Sequence, residues 1–364
     1  MDLSNDFHSG TWIGRVQTDA GPCVVTMRDG SLIDITSKDA PTVRDVLERE
    51  DAASFVANAK GRDVEGQILA PCDLQAIKAS GVTFARSMVE RVIEERAGGD
   101  PAKAEDIRAR VTAVIGDSLS DIVPGSDQAE QVKQALIKED MWSQYLEVGI
   151  GPDVEVFSKA QTLSSVGHGA EVGLHPMSSW NNPEPEIVLA VNSQGIIQGA
   201  TLGNDVNLRD VEGRSALLLS KAKDNNASCS IGPMIRLFDK TFSLDDVRQA
   251  ELKMRVEGTD GYVLNGASSM KEISRDPEDI VRQTVGRHHQ YPDGFMLFLG
   301  TLFAPTEDRD VPGEGFTHKI GDVVTIECAG LGALVNTVNL STECPQWTFG
   351  IADLMRNLSR RGLL

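Results

Sequence analysis

The chain has 364 residues, 40% of them hydrophobic and 5% aromatic, and a net charge of −19. That length admits one large domain with an appendage, or two to three domains, and the charge argues against nucleic acid or an anionic membrane as a partner. No apolar run approaches the roughly 18 residues of a membrane span, and Met1–His8 carries neither the basic nor the apolar stretch of a secretory signal.

In chain order, residues 10–36 alternate apolar and polar around the turn signals Asp19-Ala-Gly and Arg28-Asp-Gly, which predicts a small antiparallel β unit. Helical spacing follows over 41–57 (Val43, Val46, Leu47), and the stretch closes near Leu69-Ala-Pro. Residues 1–75 therefore read as a small N-terminal β-rich domain beside a larger one over 76–364. Residues 87–95 predict a helix with Val89, Val92 and Ile93 on one side. Two more helices are expected, at 101–115, with Asp100 as N-cap and Pro101 at its first position, and at 129–138. They form a helical insertion near 97–140 with densely charged, solvated faces. From Val154 the texture changes to short strands between Gly, Pro and Asn turns, with a late helix at 277–283 and a basic-ended one at 352–361. Lacking regular β-α alternation, the class is α+β with a mixed or antiparallel sheet. Five scattered cysteines without a C-x-x-C pair fit reduced thiols in a cytoplasmic protein.

Chemistry concentrates in Asn182-Pro-Glu-Pro-Glu-Ile-Val-Leu-Ala, where Glu184 and Glu186 lie two apart at the head of an apolar, branched run. A strand points residues i and i+2 to one face, so both carboxylates project together. Two like charges beside a hydrophobic run need a positive centre between them. Past a turn at Gly195, Asp205 in Gly-Asn-Asp adds a third acid from the next strand. The set is all oxygen and suits Mg²⁺, with Mn²⁺ or Ca²⁺ as substitutes. Lys223 follows the apolar run Ala216-Leu-Leu-Leu, which places its ammonium, partly buried, near the acids. Gly300 before Thr301 lets a ligand approach the backbone while the hydroxyl donates. Lys159 is open between an ion pair with a nearby acid and a substrate contact. Arg209 and Asp210 read as a supporting ion pair for the Asp205 loop, and Glu155 as a surface strand residue.

Other runs fall in a telling order: Val156-Phe-Ser-Lys159, Asn204-Asp-Val-Asn-Leu-Arg-Asp210, Lys223 through Gly232-Pro233, Asn265-Gly, Tyr291-Pro-Asp-Gly294, Leu299-Gly-Thr301 and Ile320-Gly-Asp322. Over roughly residues 76–336 this series resembles the fumarylacetoacetate hydrolase superfamily. The resemblance implies a fumarylacetoacetase-like mixed β-sandwich roll around a Mg²⁺ held by Glu184, Glu186 and Asp205. It also implies a lysine, Lys223, that reaches the substrate, and a homo-oligomer, dimer or tetramer.

One departure decides the expected reaction. Hydrolases of the superfamily carry G-x-N-Y-x-x-H-x-x-E, whose histidine, oriented by the glutamate, activates water. Here the run is Gly81-Val-Thr-Phe-Ala-Arg-Ser-Met-Val-Glu90, with Ser87 in the histidine's place. A serine is no general base near neutral pH, so acylpyruvate-type C–C hydrolysis becomes the alternative. His168, His175, His288, His289 and His318 are loop histidines whose ordinary reading is surface or packing. A branch of the superfamily without that histidine dehydrates 2-keto-3-deoxy sugar acids such as the pentonates. Ala222-Lys-Asp-Asn-Asn-Ala-Ser-Cys-Ser-Ile-Gly-Pro and Ile273-Ser-Arg-Asp276 resemble that branch. Such a reaction needs a base at C3 and an acid at C4. Glu90 is a candidate for one role and Lys223 for the other or for clamping the substrate carboxylate, in no fixed order, a lysine near bound metal having a lowered pKa. Ser87, Arg86, Lys159 and Thr301 are candidates for substrate binding.

Overall fold

The computed structural model describes residues 7, 9–98, 100–104, 107, 122–138, 142–303, 305, 307–312 and 314–364, the side chains of 85–87 excepted. The expected helix at 101–115 lies mostly outside them; 101–104 are helical.

The strands are β1 (Trp12–Thr18), β2 (Gly21–Arg28), β3 (Ser31–Asp34), β4 (Arg62–Asp63), β5 (Gln67–Leu69), β6 (Ala76–Gly81), β7 (Glu155–Ala160), β8 (Glu171–Leu174), β9 (Pro185–Val191), β10 (Ile197–Asp205), β11 (Cys229–Leu237), β12 (Glu251–Glu257), β13 (Val263–Ser269), β14 (Phe295–Phe298), β15 (Val323–Cys328) and β16 (Gly332–Leu340). The helices are α1 (Val43–Leu47), α2 (Ala52–Asn58), α3 (Ala85–Ala97), α4 (Asp127–Lys138), α5 (Gln144–Ile150), α6 (Arg209–Glu212), α7 (Leu219–Lys223), α8 (Leu244–Arg248), α9 (Pro277–Thr284) and α10 (Ile351–Arg360).

Among the described residues the strands form two sheets. The larger runs β4-β3-β2-β1-β11-β10-β9-β14-β6-β7, with β5 pairing to β1, and the smaller runs β13-β12-β15-β16-β8. Most pairings are antiparallel, but β14 with β6 and β16 with β8 are parallel, so both sheets are mixed. The α+β expectation holds. The N-terminal strands are antiparallel as expected, and β1 continues into the main sheet by pairing Trp12 with Arg236 on β11.

Strand β9 explains the placement of the core. Ile187, Leu189 and Val191 pack in the core shared with Leu252, Met254, Val324 and Ile326 of the second sheet. Val188 and Ala190 pack in a second core with Val43, Val46, Leu47 and Val56 of α1 and α2. Apolar partners on both faces are why the run is continuous rather than alternating. A third cluster belongs to α3, α4 and α5, with Met88, Val92, Ile93, Leu146 and Trp180. At the other end of the chain, Asn357 donates to Ala20 O (2.8 Å) and Arg361 to Pro22 O (2.7 Å), so the end of α10 holds the β1–β2 turn. All five cysteines are free and buried. Among the described residues no helix is long and apolar enough to cross a membrane.

Candidate functional site

The antiparallel register of β9 and β10 sets Glu186 opposite Gly203, and Asp205 N donates to Glu184 O at 3.0 Å. The three acids of the expected set thus meet: Glu184, Glu186 and Asp205 each offer a carboxylate oxygen within 4.8 Å of the others. All three are at most 2% exposed. Lys223, ending α7, donates to Glu184 (2.5 Å) and Asp205 (3.0 Å). Lys159 is fully buried and resolves to the ion-pair alternative: it meets Asp205 at 2.7 Å and donates to Val206 O and Lys223 O. Arg91 pairs with the other oxygen of Glu184.

Electrostatics separates the acids. Burial alone raises the Glu184 carboxyl, but Arg91 and Lys223 outweigh it and hold it down to about 2. Glu186 lies well above the ordinary carboxylate range, because burial, Asp205 and Glu184 all oppose its ionisation; Lys223 and a 2.7 Å bond from Gly300 N–H only partly offset them. Three buried carboxylates, one short of positive charge, form a hard donor set that fits a divalent cation. Burial also disfavours the Lys223 ammonium, yet Asp205, Glu184 and Glu212 hold its pKa well above normal.

A second ring of charges surrounds the first. Helix α3 carries Glu90, Arg91 and Glu94, and Arg91 also binds Glu94 (2.7 Å) and Glu212 (3.0 Å). Arg209 meets Glu94 at 2.7 Å and Glu90 at 3.3 Å, donates to Pro305 O at 3.1 Å, and lies 4.5 Å from the Trp180 ring. The ion-pair partners of Arg209 are thus Glu90 and Glu94 on α3, not Asp210. Asp210 instead accepts from Ser178 Oγ (2.7 Å) and Ser179 N (2.8 Å). Breaking a buried ion pair strands its partners. Arg209→Met should lower the unfolding free energy in urea by about 3–5 kcal/mol.

Glu155 is the residue that sequence reading passed over. It is half-buried on β7, and Gly81 makes room for it: a Cβ there would lie 1.9 Å from Glu155 Oε2. Burial, then Glu212, raise its carboxyl to about 7, against the pull of Arg91 and Lys223. Strand parity puts Glu155 on one face with Phe157, whose ring lies 6.0 Å from the Lys223 ammonium, without saying which element that face meets.

The chain matches the family described as fumarylacetoacetate (FAA) hydrolase C-terminal over residues 151–339, more than half its length. It belongs to the fumarylacetoacetate hydrolase family. A probable 2-keto-3-deoxyxylonate dehydratase of Haloferax volcanii is 30% identical to this family member over 261 residues, 71% of this chain and 81% of the relative. A 2-dehydro-3-deoxy-D-arabinonate dehydratase of Saccharolobus solfataricus is 31% identical over 187 residues, 50% of this chain and 58% of the relative. The fold matches a solved 2-keto-3-deoxy-D-arabinonate dehydratase, complexed with magnesium and 2,5-dioxopentanoate, at a TM-score of 0.62. That match has 20% identity and covers 90% of this chain and 99% of the other.

For the remaining candidates of this family member, Arg86 and Ser87 have their backbone on α3, but their side chains lie outside the described residues. Thr301 is buried and its hydroxyl donates to Phe303 O at 3.0 Å. Among the loop histidines, His318 meets Asp322 at 3.1 Å, and rings of His168 and His288 meet Ala333 O and Gln283 O.

Proposed function

We propose that the protein is a hydro-lyase that removes water from a 2-keto-3-deoxypentonate (the D-xylonate or D-arabinonate type), giving 2-oxoglutarate semialdehyde in oxidative pentose breakdown. The observation that carries this reading is the pairing of a buried, divalent-ready acid triad with proton-carrying neighbours, in a chain that has Ser87 where water activation needs histidine. Relatives named as dehydratases of such acids support it.

Glu184, Glu186 and Asp205 would hold Mg²⁺, with Mn²⁺ or Ca²⁺ as substitutes. The cation supplies Lewis acidity at the 2-keto group, which acidifies C3. Glu155, half-buried beside Gly81 on the β7 face that also carries Phe157 and Lys159, takes a C3 proton, its carboxyl raised by burial towards neutrality. Lys223, which reaches the triad through Glu184 and Asp205, gives a proton to the C4 hydroxyl, which leaves as water. Proton shifts then carry the unsaturated keto acid to the semialdehyde. Glu90, which meets Arg209 at 3.3 Å, is kept beside Glu155 as a candidate for a proton-transfer role. Lys159 holds Asp205, and burial of the triad keeps water from competing. Arg86, Ser87 and Thr301 are kept as substrate-binding candidates.

Purified protein with 2-keto-3-deoxypentonate, Mg²⁺ and a semialdehyde dehydrogenase should reduce NAD(P)⁺. Pyruvate released from acylpyruvates, with no reduction in the coupled assay, would replace this reading by the hydrolase one. Ser87→His alone should confer no measurable acylpyruvate hydrolysis, because Glu90, needed to orient the new imidazole, is engaged by Arg209; appearance of that activity would show one residue separates the two chemistries. Residues 1–75 are proposed as the assembly domain of a cytoplasmic homo-oligomer, dimer or tetramer, to be weighed by sedimentation of the full chain.

A further inference from the structure

Pairing of β6 with β14 ends at Ala79 opposite Phe298, yet two hydroxyls carry the ladder on. Ser80 Oγ donates to Phe298 O (2.9 Å), and Thr83 Oγ1 donates to the next carbonyl, Leu299 O, at 2.6 Å. Immediately after Leu299 the chain turns at Gly300, φ +100°, and presents Gly300 N–H to Glu186. The Thr83 hydroxyl fills the space a side chain there would need: a Cβ on Gly300 would lie 2.0 Å from it. Thr83 is itself fully buried and pinned from behind, since Ser274 donates to Thr83 O from both its N–H (2.8 Å) and its hydroxyl (2.9 Å).

The residue before it adds an independent sign. Val82 sits at φ +57°, a left-handed conformation that a β-branched residue adopts only under constraint. Such strain persists where the surrounding structure over-determines it, and it clusters at sites with a task. Here the strained residue is the hinge that turns the chain from β6 into α3 and brings the Thr83 hydroxyl over Leu299 O.

We propose that Thr83 is a positioning residue for the acid triad. It locks Leu299 and Gly300 so that the Gly300 N–H stays on Glu186 Oε2, leaving the other carboxylate oxygen of Glu186 directed to a cation. Thr83 thereby sets divalent-metal affinity without touching metal or substrate. The inference rests on the reading that Glu184, Glu186 and Asp205 bind a divalent cation.

The test is Mg²⁺ binding by titration calorimetry, together with the rise in unfolding midpoint that Mg²⁺ produces, in the wild type, Thr83→Val and Thr83→Ser. Valine keeps the shape and loses the donor; serine keeps the donor. Thr83→Val should bind Mg²⁺ about tenfold more weakly and show a smaller Mg²⁺-induced rise, with Thr83→Ser within about twofold of wild type. Unchanged affinity in Thr83→Val overturns the proposal, and so does an equal loss in both variants. A uniform fall of both midpoints with the Mg²⁺ increment intact also overturns it, because that marks a merely structural hydroxyl. A wild-type protein that binds Mg²⁺ but leaves the keto acid untouched refutes the dehydratase reading alone; one that binds no divalent cation refutes both.

Discussion

Glu184→Gln and Asp205→Asn should each abolish metal retention and dehydration together. Outer partners of metal ligands typically contribute 10–100-fold, so loss of a ligand should exceed about 100-fold in affinity and in kcat/KM. Each change also strands cations: the amide of Glu184→Gln can no longer neutralise Arg91 and Lys223, and Asp205→Asn leaves Lys159 without its ion-pair partner. Fold integrity should be followed by circular dichroism alongside metal content after gel filtration. Turnover that persists in either variant under EDTA would show that these acids are not ligands.

Glu155→Gln should lose activity and gain stability at once. The folded carboxyl titrates near 7 against an ordinary 4.5, because burial and Glu212 disfavour its charge. The folded state therefore binds this proton more tightly than the unfolded chain does. The resulting penalty is absent below about pH 4.5, grows between 4.5 and 7, and is complete above 7. Glutamine removes it, so the variant should be more stable at pH 8, by no more than about 3 kcal/mol, and indistinguishable from wild type in this respect near pH 4. Loss of a general base should lower kcat/KM by roughly 10²–10⁴-fold, and the wild-type kcat/KM should rise with pH through about 7. A variant that is destabilised at pH 8, or that retains the wild-type pH profile, would remove Glu155 from the mechanism. Stability gained where function is lost is the expected mark of a group held in an unfavourable ionisation state for chemistry.

How much of this could be read from residues alone differs from element to element. Glu184 and Glu186 were legible because strand parity is local: two residues apart is one face, whatever the fold. Asp205 was legible from the Gly-Asn-Asp turn that follows the glutamate pair. Lys223 was expected near the acids from the apolar run before it, but Leu217 in that run is exposed and it is α7 that carries the lysine inward. Glu155 was not legible, because parity says that Glu155 and Phe157 share a face but not which distant element that face meets. Its carboxylate is accommodated by the missing side chain of Gly81, a pairing across β6 and β7 that no local pattern encodes. The same holds for Arg91. Beside Glu90 it looks like any charge on a solvated helix, and only the docking of α3 turns it inward onto Glu184 and Glu212. The irregular order of strands and helices made the α+β class legible but left the sheet mixed or antiparallel; the parallel pairs β14–β6 and β16–β8 decide it. The pairing of β1 with β11 was not legible, since it joins residues near the start of the chain to others well past its middle.

The grip of α10 on the β1–β2 turn sets an order of events during synthesis. Strand β1 can pair with β2 and β5 early, but Trp12 and Ile13 lack their partners until β11 has emerged, and the β1–β2 turn lacks its outer hydrogen bonds until Asn357 and Arg361 arrive. Contacts that distant in sequence form late and slowly. The nascent chain therefore carries the apolar Trp12–Ile13 end of β1 without its β11 partner until well past the middle of the sequence, the interval in which a chaperone has the most to shield there.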